Sequence, residues 1–255
     1  MHFGDRKKLR SKIVCSFLLF VISLAAGVLA AVIVEHCVQA TEPVDNEVQT
    51  GDAGMDDEAV AAFGGRQSDE LTKKVALTFD DGPNPDYTPE LLDELKKRGV
   101  PATFFVLGAE VEQYPQLVRR ASEEGHLIGV HSYKHVNLRQ LSDQQAVEQV
   151  NRTNEAIHAA CGQYASYIRP PYGCWKEDLD YEVQMVEVLW DIDPRDWATT
   201  SADLVVQRVL QDVEENSIIL LHDASESSVR AACMIIDRLQ AQGYTFVTVE
   251  ELLME

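Results

Sequence analysis

Lys73-Lys-Val-Ala-Leu-Thr-Phe-Asp-Asp-Gly-Pro83 is where the chain declares its architecture. Val75 to Phe79 is a short apolar run. It is too brief for a core helix and suits a strand buried on both faces. Two carboxylates, a glycine and a proline follow at once. Polar residues directly after a buried strand are the mark of a parallel α/β sheet, whose catalytic groups collect at the C-terminal strand ends.

Reading outward, strand and helix alternate. Thr88 caps a helix carrying Leu91, Leu92 and Leu95 at helical spacing, and Gly99 ends it. Ala102 to Leu107 reads as a strand, Pro115 to Gly125 as a helix and His126 to Val130 as a third strand. Ser142-Asp-Gln-Gln145 is a capping box for a helix that runs to about Cys161. Short strands follow at Tyr167–Arg169 and Val186–Trp190, then a helix capped by Ser201 that runs through Glu214. Ser217–Leu221 is a strand, Val229–Gln240 a helix and Tyr244–Val249 a last strand. About seven such alternations predict an α/β fold of parallel strands, either an irregular (β/α) barrel or a doubly wound sheet.

The strand ends carry the chemistry. Asp80 and Asp81 follow the first strand, and adjacent residues leaving a strand point in different directions. One carboxylate can therefore bind a metal while its neighbour faces a substrate. His131 and His135 are four apart, so on a helical turn both imidazoles share a face. With one carboxylate they make three N/O ligands with an open position, the pattern of a catalytic zinc site. Arg169-Pro-Pro-Tyr172 is stiffened by two prolines, which leave fewer backbone donors and free the Tyr172 N–H for a ligand. Arg169 can hold a carboxylate bidentately. His222 leaves the run Ile218–Leu221, and Asp193 is a candidate partner that would keep its ring protonated. His126 and His158 have no partners at telling spacing. Tyr87, Trp175 and Trp190 read as packing residues, with Trp175 a candidate for the flank of a groove.

The formal net charge of −20 excludes a nucleic-acid partner, because a phosphate backbone needs Lys and Arg to neutralise it. Arg6, Lys7, Lys8, Arg10 and Lys12 crowd the first 12 residues, and residues 13–34 hold no charge. That run is long enough to span a bilayer, with its basic flank inside and the C-terminal bulk outside. Its length favours an uncleaved membrane anchor over a signal peptide cut after Ala40. Residues 35–72 are acidic and glycine-bearing, with no sustained hydrophobic period, and read as a disordered linker to a domain at 73–255. The five cysteines show no CxxC spacing, which argues against a zinc knuckle or redox motif. Outside the cell Cys161 and Cys174 could pair, but they read first as small buried residues, and Cys233 likewise.

Taken in order, Thr78–Pro83, His131–His135, Arg169–Tyr172, Asp193–Trp197 and Leu220–His222 resemble the five motifs of the polysaccharide deacetylases with a NodB homology domain, carbohydrate esterase family 4. The resemblance covers about residues 73–255; one departure is Val136, where many members have proline. It implies a distorted (β/α) barrel and one divalent metal, usually zinc, with cobalt or another divalent ion as alternatives. It implies Asp81, His131 and His135 as ligands, Asp80 as general base and Arg169 as the residue that orients it. His222 would be the general acid and Asp193 its tuning partner. Tyr172 would offer its backbone N–H to the oxyanion, and Trp197 and Leu220 would line the acetyl pocket. The implied reaction removes N-acetyl groups from an amino-sugar polymer. An exported, membrane-tethered domain favours peptidoglycan over a chitin-like polymer, with N-acetylglucosamine the first candidate sugar and N-acetylmuramic acid the alternative. The rivals are an O-acetyl esterase acting on xylan and a catalytically retired wall-binding protein. A two-metal phosphoesterase needs more ligands than these three.

Overall fold

The computed structural model describes residues 73–179 and 182–254. The basic tail, the apolar run 13–34 and the acidic linker lie outside them. Among the described residues no helix is long and apolar enough to cross a membrane.

Strand β1 (Lys73–Asp80) is central, with Val75 to Asp80 all buried. It is flanked by β2 (Thr103–Val106) and β6 (Ser217–His222), and the remaining strands are β3 (Leu127–Val130), β4 (Tyr167–Ile168), β5 (Val186–Glu187) and β7 (Tyr244–Val247). The order is β5-β4-β3-β2-β1-β6, with β7 also on β1, and every pairing is parallel. Parallel strands covered by crossover helices account for the unbroken apolar runs. Since β6 takes one side of β1, β2 and β7 share the other: β2 beside Thr78–Asp80 and β7 beside Lys73–Ala76.

The sheet curls until its ends meet. Val186 and Val188 donate to the Ser166 and Ile168 carbonyls at 2.9 and 2.8 Å, on the β4 side. Four residues on, Leu220 of β6 donates to the Ile192 carbonyl at 2.9 Å, and Ile192 bridges Ile219. Residues 186–192 thus reach from one end of the sheet order to the other, so the expected barrel is a curled parallel sheet joined by a strap. The predicted strand Val186–Trp190 shortens to two paired residues because the rest of it crosses that gap.

Helices α1 (Thr88–Arg98), α2 (Gly108–Gln113), α3 (Pro115–Glu123), α4 (Asp143–Cys161), α5 (Ala202–Asp212), α6 (Glu226–Ala241) and α7 (Val249–Leu253) complete the domain. Leu91, Leu92 and Leu95 are at most 1% exposed, a burial worth about 1.5–3 kcal/mol each. The capping box predicted at Ser142–Gln145 is present, with both hydrogen bonds made. Two short helices escape the sequence reading. One is α2; the other is α7, where Thr248 and Glu251 form a capping box and end the last strand at Val247. Val249 packs with Ala76, Phe105 and Tyr167 in a cluster separate from the main core. Cys161, Cys174 and Cys233 are free and half-buried, so the admissible Cys161–Cys174 pair is not formed.

Candidate active site

Register brings the polar strand ends together. Asp80 is level with Phe105 on one neighbour and with His222 on the other. Val106 is level with Val130, and Val130 with Ile168. The residues that follow these positions, Asp81, His131 and Arg169, therefore gather at one end of the sheet. Asp81 and His131 border a cleft of about 1040 Å³ whose walls include Tyr172, Trp190, Asp193, Trp197 and Leu220, and Arg169 lies buried behind it.

At its floor Asp81, His131 and His135 each present one ligand atom, all within 4.8 Å of one another. Asp81 Oδ1 lies 3.5 Å from His131 Nε2 and 3.4 Å from His135 Nε2. That oxygen is buried and has no hydrogen-bond partner. A buried polar atom left unpaired is costly, and a cation among these three groups would relieve the cost. The donor set, two imidazole nitrogens and a carboxylate, is one that zinc accepts. His131 Nδ1 is 2.6 Å from the Arg169 carbonyl, so Nδ1 carries the proton and Nε2 is left with a lone pair facing Asp81. Burial pulls His131 below the ordinary imidazole range despite Asp80 and Asp81, which keeps the ring neutral, as a ligand must be. The residues fit a divalent metal.

Asp80 flanks this floor, 3% exposed. Arg169, fully buried, donates from Nη1 to Asp80 Oδ1 at 2.8 Å and to Thr78 Oγ1 at 2.7 Å. Its Nε and Nη2 donate to the Val188 and Leu189 carbonyls at 3.1 and 3.2 Å, and its guanidinium lies 4.3 Å from the Phe105 ring centroid. Asp80 Oδ2 is left on the cleft side, 3.8 Å from His131 Nε2.

On the opposite side His222 Nε2 lies 3.9 Å from Asp81 Oδ2. Its Nδ1 is 2.8 Å from Asp196 Oδ1, and its backbone N–H donates to Asp196 Oδ2 at 2.9 Å. The carboxylate beside His222 is therefore Asp196, not Asp193. Asp193 is exposed on the rim and accepts the Arg195 N–H at 2.8 Å. The reason is parity: Ile192 turns inward to meet Ile219, Pro194 and Asp196 are buried with it, and Asp193 and Arg195 face out. That alternation was visible in the sequence once Ile192 was known to face in. Burial works against a charged His222, but the hydrogen bond and charge of Asp196, with Asp80 and Asp81 behind, push it up to about 9.

Tyr172 is 64% exposed with its ring 4.8 Å from that of His135, and Trp197 is 66% exposed. Leu220 is buried at the cleft wall. Trp175 is buried in the core, as a packing residue should be, and does not flank the groove; Trp190, also read as a packing residue, lines the cleft instead. Five non-glycine residues with positive φ sit in these loops: Asp81 (75°), Ser132 (70°), His135 (52°), Tyr172 (62°) and Arg195 (54°). Left-handed backbone at such residues is costly, and it clusters where a site over-determines it. Of the remaining histidines, His126 is buried with its Nδ1 accepting the Ala102 N–H, and His158 stacks on Tyr164.

A polysaccharide deacetylase family model matches residues 67–188. The peptidoglycan-N-acetylglucosamine deacetylase PgdA of Listeria monocytogenes is 39% identical over 183 residues, 72% of this chain and 39% of the relative. The peptidoglycan-N-acetylmuramic acid deacetylase PdaC of Bacillus subtilis is 42% identical over 184 residues, again 72% and 39%. The solved PdaC structure matches with a TM-score of 0.69 over 71% of this chain and 90% of that one. A chitooligosaccharide deacetylase of Bradyrhizobium is 37% identical over 191 residues, 68% of this chain and 87% of the relative. This chain belongs to the polysaccharide deacetylase family. Its match spans about 39% of the length of the two peptidoglycan deacetylases. His222 and Asp196 lie beyond the residues that the family model matches, and the geometry ties them to the site.

Proposed function

We propose that the domain hydrolyses N-acetyl groups on an amino-sugar polymer and releases acetate. The observation that carries this reading is the orphaned Asp81 Oδ1 facing His131 and His135, with Asp80 on one flank and His222 on the other. Asp81, His131 and His135 would hold one divalent ion, zinc or cobalt by donor chemistry. Such an ion lowers the pKa of a bound water to about 7 and polarises the acetamide carbonyl.

The chain's own groups do the rest. Asp80, oriented through Oδ1 by Arg169, takes the proton of the attacking water. General-base catalysis of this kind contributes about 10²–10⁴-fold. The Tyr172 amide N–H steadies the oxyanion, a contribution worth about 2.7–4 kcal/mol per donor in other hydrolases. His222, held through Nδ1 by Asp196, delivers a proton from Nε2 to the departing amine. Trp197 and Leu220 receive the acetyl methyl.

For substrate we propose peptidoglycan N-acetylglucosamine. Among the described residues the cleft lining holds Asp80, Asp81, Asp193 and Asp196 but neither lysine nor arginine. A muramic acid unit adds a lactyl branch, and wherever that branch carries no stem peptide its free carboxylate would meet that acidic field, where like-charge juxtaposition opposes binding. The apolar run 13–34 would anchor the domain to the membrane with its cleft outside the cell.

Asp81→Ala and His131→Ala in the full-length protein are expected to lose metal on elemental analysis. Asp80→Asn is expected to keep metal and lose turnover by about 10²–10⁴-fold. Near-normal acetate release from Asp80→Asn would remove it as base. Incubation with purified peptidoglycan and with chitooligomers, with the new free amines located by mass spectrometry, tests the polymer and the sugar. Free amines on muramic acid would overturn the preference for the uncharged unit.

A further inference from the structure

Asp223 follows His222 but is 1% exposed and is not part of the cleft lining. None of the steps above uses it. Its Oδ2 accepts the Thr88 hydroxyl. The Thr88 oxygen in turn accepts the Asn84 N–H at 2.7 Å, and Asn84 Oδ1 accepts the N–H groups of Asp86 and Tyr87 at 2.9 and 3.3 Å. Thr88 is expected to cap α1; in the structure the N-cap is Tyr87, which makes no side-chain cap, and Thr88 is the first helical residue with its hydroxyl committed to Asp223.

The carboxylate also sits against the backbone of Gly82. A Cβ at residue 82 would fall 2.4 Å from Asp223 Oδ2 and 2.7 Å from Oδ1. The Gly82 carbonyl accepts the Leu107 N–H at 2.9 Å. The turn after Asp81 is therefore gripped from both neighbouring strands, by Asp223 beyond β6 and by Leu107 beyond β2. Asp81 needs such a grip, since it holds φ at 75° without being glycine. A buried carboxylate with no cationic partner is costly in itself, and Asp223 Oδ1 is left without any hydrogen bond. A residue tolerated at that cost has work to do.

We infer that Asp223 is a positioning residue: through Gly82 and Thr88 it clamps the turn that aims the Asp81 carboxylate at the two imidazoles. The inference rests on the metal-centre reading above.

The test is zinc affinity of the full-length protein, measured by competition with a chromogenic chelator, alongside thermal unfolding and near-UV circular dichroism. Asp223→Ala and Thr88→Val are expected to stay folded at the assay temperature and to weaken zinc by at least about tenfold, the cost typical of lost outer-sphere support. Thr88→Ser, which keeps the hydroxyl, is expected to bind as the wild type does. Folded variants with lower melting temperatures and unchanged zinc affinity would make Asp223 a stability residue only and overturn the clamp. A wild type that binds no zinc would instead sink the metal centre, and the clamp with it. Should Asp223→Ala not fold, Thr88→Val against Thr88→Ser carries the same comparison with a smaller change.

Discussion

Two charged pairs face each other across the candidate metal centre, and they are built on opposite plans. Asp80–Arg169 is buried at both ends, and the guanidinium is spent on a carboxylate, a hydroxyl and two carbonyls. Arginine does not deprotonate in proteins, so Arg169 keeps its charge and its grip while Asp80 takes up a proton and gives it back. Asp196–His222 is half open to the cleft, and its ring can gain or lose a proton. A base that must be in place before each turnover is served by a locked pair. An acid that must give up a proton and regain it is served by a pair that titrates.

Breaking the locked pair has the largest expected effect. Arg169→Met leaves Asp80, Thr78 and two carbonyls without their donor, and removing one partner of a buried ion pair costs about 3–5 kcal/mol. The urea midpoint should fall accordingly, with acetate release abolished. Arg169→Lys should recover little, because a single ammonium cannot supply four bonds in a fixed fork. A stability loss below about 1 kcal/mol, the scale of an exposed pair, would show that the pair is not locked.

Breaking the titrating pair acts on pH dependence. With the His222 pKa pushed up to about 9, its acidic form persists through neutrality and is lost only as pH rises through that value. Asp196→Asn keeps an acceptor for the ring but removes the charge. The alkaline limb of kcat/KM should then move towards the ordinary imidazole range, and activity at pH 8 should drop by about 10–100-fold, because an imidazole of pKa about 6.5 is only a few per cent protonated there. Metal content should not change. Asp193→Asn should leave the limb in place; if it moved the limb as Asp196→Asn does, the assignment by hydrogen bonding would be wrong.

The two pairs were unequally legible in the sequence. Asp80, Asp81, His131, Arg169 and His222 could be read because each lies within two residues of the end of an apolar run, and a parallel sheet brings such ends together regardless of detail. Asp196 could not be chosen over Asp193, because the choice depends on which way Ile192 faces, and a contact with Ile219 decides that. Thr88 was legible as a helix start but not as a partner for Asp223, 135 residues away. Trp190, read as a packing residue, lines the cleft for the same reason: burial of a lone aromatic is set by what crosses it. The strands shortened wherever the strap 186–192 left one neighbour for another. Local pattern predicted the elements and the face they furnish, while pairings across the barrel needed the fold.

His126 supplies the third plan and the smallest expected effect: an ionisable group buried with no counter-ion bonded to it. Its Nδ1 accepts the Ala102 N–H at 3.1 Å, its Nε2 has no partner, and Phe104 packs on it edge to face. Burial pulls the imidazole down to about 4, with Glu124 opposing and Arg120 assisting, and protonating Nδ1 would break the bond from Ala102. Between pH 6.5 and about 4 the unfolded chain binds a proton that the folded one refuses. Stability from this residue is therefore fully present above pH 6.5 and declines as pH falls through that window, by about 3 kcal/mol in all. Other carboxylates titrate in the same range, so the measurement is a difference: urea unfolding of wild type and His126→Gln at pH 7 and pH 4.5. The wild type should lose more stability on acidification than the variant. Equal losses would mean that His126 accepts its proton in the folded state, and that burial without an ionic partner does not suffice here to hold a side chain neutral.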